Sequence, residues 1–328
     1  VTDATLLKRF QAGHQGALAR AISWVENGAP QGEELLDAIY DACDLASDSP
    51  SVFTAHRTGI TGPPGAGKST LVDALACHWA QAGRKLGLLA VDPSSPFSGG
   101  ALLGDRVRMD RAFGEHGVFV RSMATRGSLG GLSLAAGAAA DLMSAFGFQE
   151  VLLETVGVGQ AEIDIAAATD VCVVVLTPQS GDGVQAMKAG LMEAADLFVV
   201  NKADQVGADL LCAEIEQMLD FRPASAARPP VLKSTATSGE GVAEIANAID
   251  KLRAAATSDG RAEERRRARD LARIRRVFAE TLRSALWSEH GVEQKAQAQL
   301  DAGVRPDRAA RKLASEIMNQ FQANGEQQ

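Results

Sequence analysis

The run Gly62-Pro63-Pro64-Gly65-Ala66-Gly67-Lys68-Ser69 fits the pattern G-x-x-x-x-G-K-S without a gap, and nothing else in the chain narrows the possible folds so far. Such a loop works only where a strand delivers it and a helix receives it. Both are present as patterns: Thr58–Thr61 reads as a short strand, and Leu71, Val72, Leu75 and Ala76 repeat at helical intervals behind the lysine. Glycine at three positions lets backbone N–H groups turn inward around phosphate oxygens, and a helix N-terminus favours negative charge there. Lys68 is placed to reach the β- and γ-phosphates and Ser69 to ligate Mg²⁺. With Thr70 beside them, residues Gly62, Pro63, Pro64, Gly65, Ala66, Gly67, Lys68 and Ser69 form the expected phosphate-binding set.

The flanking sequence agrees with that context. From about Arg57 to Leu252 short β-rich runs alternate with helix-length segments, the signature of a parallel α/β sheet. The strands read as Thr58–Thr61, Leu86–Val91, Val118–Ser122, Glu150–Glu154, Val171–Thr177, Leu197–Asn201 and Val231–Ser234, with helices beginning near Lys68, Leu129, Val184, Gly207 and Gly241. Several strands are apolar on consecutive residues, as expected when helices cover both faces of a sheet. The predicted fold is an α/β P-loop NTPase with a mostly parallel central sheet, flanked by N-terminal and C-terminal helical extensions. Its divisions are residues 1–54, helical; 55–256, the sheet domain; and 257–328, a helical arm broken by Gly291 and by Gly303–Pro306.

Composition removes other classes. In 328 residues, 46% apolar and 23% charged content excludes wholesale disorder. The densest apolar run, Val171–Leu176, is strand-length, so no membrane helix is expected. Val1–Phe10 shows no apolar signal core, which makes the expected location cytoplasmic. Four scattered cysteines give neither a disulfide framework nor a zinc pattern. A net charge of −8 opposes general attraction to nucleic acid or anionic lipid. Arg261–Arg276 holds eight arginines, but Glu263, Glu264 and Asp270 interleave with them, which reads as helix-face pairing rather than a phosphate-binding strip.

Base selectivity is written in Asn201-Lys202-Ala203-Asp204, directly after an apolar strand. A carboxylate at Asp204 accepts from both N1–H and the 2-amino group of guanine, a donor pair adenine lacks. Lys202 lays its stem along the base, and Asn201 ties this loop to the phosphate loop. Ser234-Thr235-Ala236 follows the last strand and is the candidate for a backbone contact to the guanine oxygen, although Thr235 interrupts the usual Ser-Ala pair. The same NKAD motif argues against an ATP-dependent transport kinase.

Two carboxylates, Asp92 and Glu154, end neighbouring predicted strands, where ligands of such sheets bind. They are candidate Mg²⁺ controllers with Ser69, acting directly or through water. Asp105, in the glycine-punctuated stretch Gly99–Arg108, is a third, readable equally as a turn cap. Gly157 is expected to offer its N–H to the γ-phosphate, so Lys68, Asp92, Glu154 and Gly157 form the candidate catalytic set. Val158 stands where a water-positioning glutamine is common, which predicts slow basal GTP hydrolysis and a need for a partner.

Val91-Asp92-Pro93-Ser94-Ser95-Pro96, Gly99–Arg106, Glu154–Gln160 and Asn201–Asp204 together resemble the MeaB/ArgK-type GTPases. These are chaperones of adenosylcobalamin-dependent methylmalonyl-CoA mutase, related to nickel-insertion GTPases. The resemblance spans at least residues 57–241 and takes in both helical extensions. It implies a homodimer in which GTP hydrolysis to GDP gates cofactor loading and protects the mutase. It also implies that Asp92 and Asp105 serve the magnesium and switch region, and that Glu154 organises the metal-bound water. Gln179–Lys188, with Asp182 at its glycine-rich centre, resembles an additional switch that responds to the mutase; Lys188 reads either as its cation or as a solvated lysine. The apolar stripe Leu271, Ile274, Phe278, Leu282 and Leu286 is the expected dimer contact. The alternative, a metallochaperone for nickel-enzyme maturation, requires a Cys or His cluster, and the five histidines are scattered.

Overall fold

The computed structural model describes residues 4–44, 54–92, 117–124, 134–155, 161–179, 192–222, 227–289 and 291–325. Three helices come first: α1 (Ala4–Gln11), α2 (Gln15–Glu26) and α3 (Pro30–Asp44). The sheet region follows with β1 (His56–Thr61), α4 (Lys68–Gln81), β2 (Leu86–Asp92), β3 (Phe119–Ala124), α5 (Leu134–Ala145), β4 (Glu150–Thr155) and α6 (Ala161–Ala168). It continues through β5 (Val171–Leu176), β6 (Leu197–Asn201), α7 (Ala208–Leu219), β7 (Val231–Ser234) and α8 (Val242–Ser258). Then come α9 (Arg261–Ser284), a π-helical turn (Ala285–Glu289), α10 (Val292–Asp301) and α11 (Pro306–Gly325).

The seven strands form one sheet in the order β3-β2-β4-β1-β5-β6-β7, parallel at every pairing. Apolar runs in the strands are continuous because successive side chains face opposite layers, both of them covered. Leu89, Val151 and Leu153 join the core built with α1, α2, α3 and α5. Leu88, Leu152, Val173 and Val175 join the core under α4 and α8, and Val174, Leu176, Phe198 and Val200 meet α7.

The structure extends the expected strand Val118–Ser122 to Ala124, and α5 is described from Leu134, past the expected start near Leu129. The expected helix near Val184 lies outside the described residues. Helix α6 was not legible: Ala161–Ala168 spans two turns and is rich in alanine, so it lacks the polar face that reveals a helix in sequence. It is held by packing instead. Gly59 of β1 lets Ile165 and Thr169 approach so closely that a Cβ there would lie 2.8 Å from Ile165 Cγ1.

Two compact units divide the chain, Val1–Arg269 and Asp270–Gln328. In the first, Arg57 is buried against Asp141, whose other oxygen accepts the Tyr40 hydroxyl at 2.9 Å, linking α3, β1 and α5. In the second, Leu286, Trp287, Val292, Leu300 and Leu313 line an apolar cleft of about 510 Å³. Among the described residues, no helix is long and apolar enough to cross a membrane.

Candidate active site

Strand β1 lies at the centre of the sheet and hands its end to the phosphate loop. Gly62 sits at φ +137°, and a Cβ there would come 2.1 Å from the Val175 carbonyl oxygen, so no other residue lets the loop start this close to β5. Gly67, at φ +84°, caps α4; a Cβ at this position would meet Asn201 Nδ2 at 2.4 Å. The first N–H groups of α4 thus open toward the loop, where a helix carries partial positive charge. Buried Lys68 donates through Nζ to the carbonyls of Gly62 at 2.7 Å and Pro63 at 3.0 Å. Ala66 is buried, whereas Pro64, Gly65 and Thr70 are exposed.

Parallel pairing places Glu154 of β4 beside Ile60 of β1. Its carboxylate, almost wholly buried, accepts the Ser69 hydroxyl at 2.6 Å. This hydroxyl–carboxylate pair is an all-oxygen donor set, the kind a hard divalent cation takes while keeping several of its waters. Residues of the site therefore fit Mg²⁺. Asp92 closes β2 in register with Ala124. Its side chain lies outside the described residues, as do Asp105, Gly157, Asp182 and Lys188 entirely. Gln179 is described and exposed, two residues beyond buried Thr177.

The base motif is built around Asn201. Its Nδ2 donates to the Ala66 carbonyl at 2.9 Å, and its Oδ1 accepts from the Ser234 hydroxyl and the Ala236 N–H, each at 3.1 Å. One buried amide thereby joins the phosphate loop to the loops after β6 and β7. Ala203 N–H adds a 3.0 Å bond to the Ser234 carbonyl. Lys202 has φ +58°, the one positive value at a non-glycine among the described residues. Such a conformation costs about 1 kcal/mol or more and persists where surroundings impose it. Beyond that reversal Asp204 is exposed. Thr235, which interrupts the expected Ser-Ala pair, is buried, and its N–H donates to the Glu240 carbonyl at 3.0 Å.

Sequence reasoning missed one pair. Thr155 Oγ1 donates to Thr61 Oγ1 at 3.1 Å, both residues fully buried. Each threonine adjoins a motif, one before Gly62 and one after Glu154, but only the strand register reveals that they meet. Cys77 and Cys172 are buried, and burial pushes the Cys172 thiol far up, so it is not a ready thiolate ligand. No group of three His, Cys, Asp or Glu that could hold a metal gathers among the described residues.

Comparison with known proteins reaches beyond this site. The family model described as "Methylmalonyl Co-A mutase-associated GTPase MeaB" matches residues 18–291. A Pyrococcus horikoshii protein named as a GTPase is 44% identical over 278 residues, covering 84% of this chain and 85% of its own. The GTPase ArgK of Escherichia coli is 32% identical over 337 residues, covering 98% and 99%. The crystal structure of LAO/AO transport system kinase superposes with a TM-score of 0.70 at 28% identity, across 97% of this chain and 99% of that one. The last two likenesses run through the C-terminal helices as well as the sheet.

Proposed function

This chain belongs to the MeaB family of methylmalonyl-CoA mutase-associated GTPases, and on that premise we propose that it couples GTP hydrolysis to the loading of adenosylcobalamin into a methylmalonyl-CoA mutase and to protection of that enzyme. The observation carrying the GTPase half is the Asn201 junction, which holds a guanine-type motif and a phosphate loop in one rigid unit. The client is carried by the family match.

Phosphoryl transfer to water depends on position and charge stabilisation more than on covalent chemistry. Lys68 and the N-terminus of α4 supply positive charge to the β- and γ-phosphates. Ser69 and Glu154, with Asp92, are the residues that would hold Mg²⁺, and Asp105 belongs to the switch beside them. Such an ion, when bound, would offset negative charge on the nucleotide's phosphates. Gly157 contributes a backbone N–H. Asn201, Lys202 and Asp204 read guanine, with the Ser234–Ala236 loop closing the base pocket. Val158 cannot orient water by hydrogen bonding, so basal hydrolysis is slow. Gln179–Lys188, through Asp182 and Lys188, transmits contact with the mutase. A homodimer through the C-terminal helices and a cytoplasmic location complete the reading.

Its test is retention of purified mutase on the immobilised chain loaded with GDP or a non-hydrolysable GTP analogue. Retention that depends on the nucleotide, and is abolished in Lys68→Ala, supports the coupling. Retention indifferent to nucleotide, or none, refutes it.

A further inference from the structure

The backbone ladder between β1 and β4 runs from His56 with Glu150 to Ile60 with Glu154, and there it ends. One residue further along both strands, where their ends carry the chemistry, the Thr155 hydroxyl donates to the Thr61 hydroxyl at 3.1 Å. This bond is the next rung, made by side chains. Thr61 is joined to Gly62, whose carbonyl accepts Lys68 Nζ, and Thr155 is joined to Glu154, whose carboxylate accepts Ser69. The phosphate loop is thus braced on its β5 side by the close approach of Gly62 to Val175 and on its β4 side by the hydroxyl rung.

We propose that the Thr61–Thr155 hydroxyl bridge is a positioning device that sets the height of Glu154 against Ser69 and thereby the affinity of the site for Mg²⁺. The proposal rests on the GTPase reading above. Both hydroxyls are fully buried, with relative exposures of 0%. Substituting valine for Thr155 keeps the branched shape and deletes one of the two hydroxyls that make the bridge. The strand ends then lose their cross-link just beyond the last backbone pair, and the carboxylate is held less firmly opposite the serine. Neither threonine is placed to touch the base, so guanine recognition is left as it was.

The experiment uses the full chain as wild type, Thr155→Val, Thr155→Ser and Glu154→Gln. A fluorescent GDP analogue is released into excess GDP over a range of Mg²⁺ concentrations, with EDTA as the zero point, and GTP hydrolysis is followed in parallel. In Thr155→Val the Mg²⁺ concentration for half-maximal retention should rise about tenfold and kcat should fall about tenfold, with KM for GTP within about twofold. Release in EDTA should match wild type, which also shows that the fold is intact. Thr155→Ser, which restores the hydroxyl without the methyl group, should return both quantities to within about threefold of wild type. If Glu154→Gln weakens the Mg²⁺ response while Thr155→Val does not, the bridge is overturned and the metal site stands. If Thr155→Ser, which keeps the hydroxyl, is as impaired as Thr155→Val, the hydroxyl does not set the Mg²⁺ response and the bridge is again overturned. If Glu154→Gln itself leaves the Mg²⁺ response unchanged, the functional reading and the bridge fall together.

Discussion

Asn201 makes three hydrogen bonds with one buried side chain, and those bonds turn separate sequence motifs into one site. The residues of that site were legible because each sits in a contiguous pattern. What was illegible was the cross-strand chemistry: Thr61 and Thr155 are 94 positions apart, and their contact depends on strand register. Base selectivity belongs to this scale. Asp204 is exposed and is the proposed acceptor for two guanine donors, and Asp204→Asn exchanges one acceptor for a donor. Xanthine presents a carbonyl where guanine has its amino group. The substitution should therefore weaken GDP binding at least about 100-fold and improve XDP binding. Isothermal titration with both nucleotides checks this, and unchanged preference for GDP would reduce the motif to a turn.

Among the elements, the strands were legible because burial on both faces leaves unbroken apolar runs, whereas α6, short and alanine-rich, was not. Helix α9 shows a different limit. Its arginines invited a nucleic-acid reading, and the interleaved acids suggested pairing within the helix. The structure pairs Arg267 with Glu263 in that way, but sends Arg265 to Asp196 and Arg269 to Asp170, which precede β6 and β5. Partners so distant in sequence leave no local signal. Arg261 and Arg266 are paired as well, so at least five of the eight arginines neutralise acids of the chain itself.

Asp170 gives this arrangement a pH signature. Burial alone would raise its pKa, but Arg269 and the Arg57 N–H, at 2.8 Å, overcome that and hold it below the ordinary 3.8. The unfolded chain therefore takes up the proton first. Stabilisation present above about pH 4 is lost as pH falls through the folded value. Asp170→Asn should cost about 1–2 kcal/mol at neutral pH and flatten the acid limb of stability against pH, as measured by urea unfolding. An acid limb as steep as wild type would show that Asp170 is not its source.

At the scale of the whole molecule, the second unit leaves Ile274 and Phe278 more than 60% exposed on α9, and its own apolar cleft is open. Such a stripe and cleft suit a second copy of the chain. Introducing Ile274→Asp with Phe278→Asp should convert a sedimenting dimer to a monomer and leave nucleotide affinity unchanged; a persistent dimer would move the interface elsewhere. The central claim is that this GTPase works through methylmalonyl-CoA mutase, and it is tested most directly by the steady-state rate of GTP hydrolysis as purified mutase is titrated against the 328-residue chain. The account predicts a slow basal rate that rises at least about tenfold and saturates with the mutase, because contact supplies the positioning that Val158 cannot. A rate unchanged at saturating mutase would contradict it.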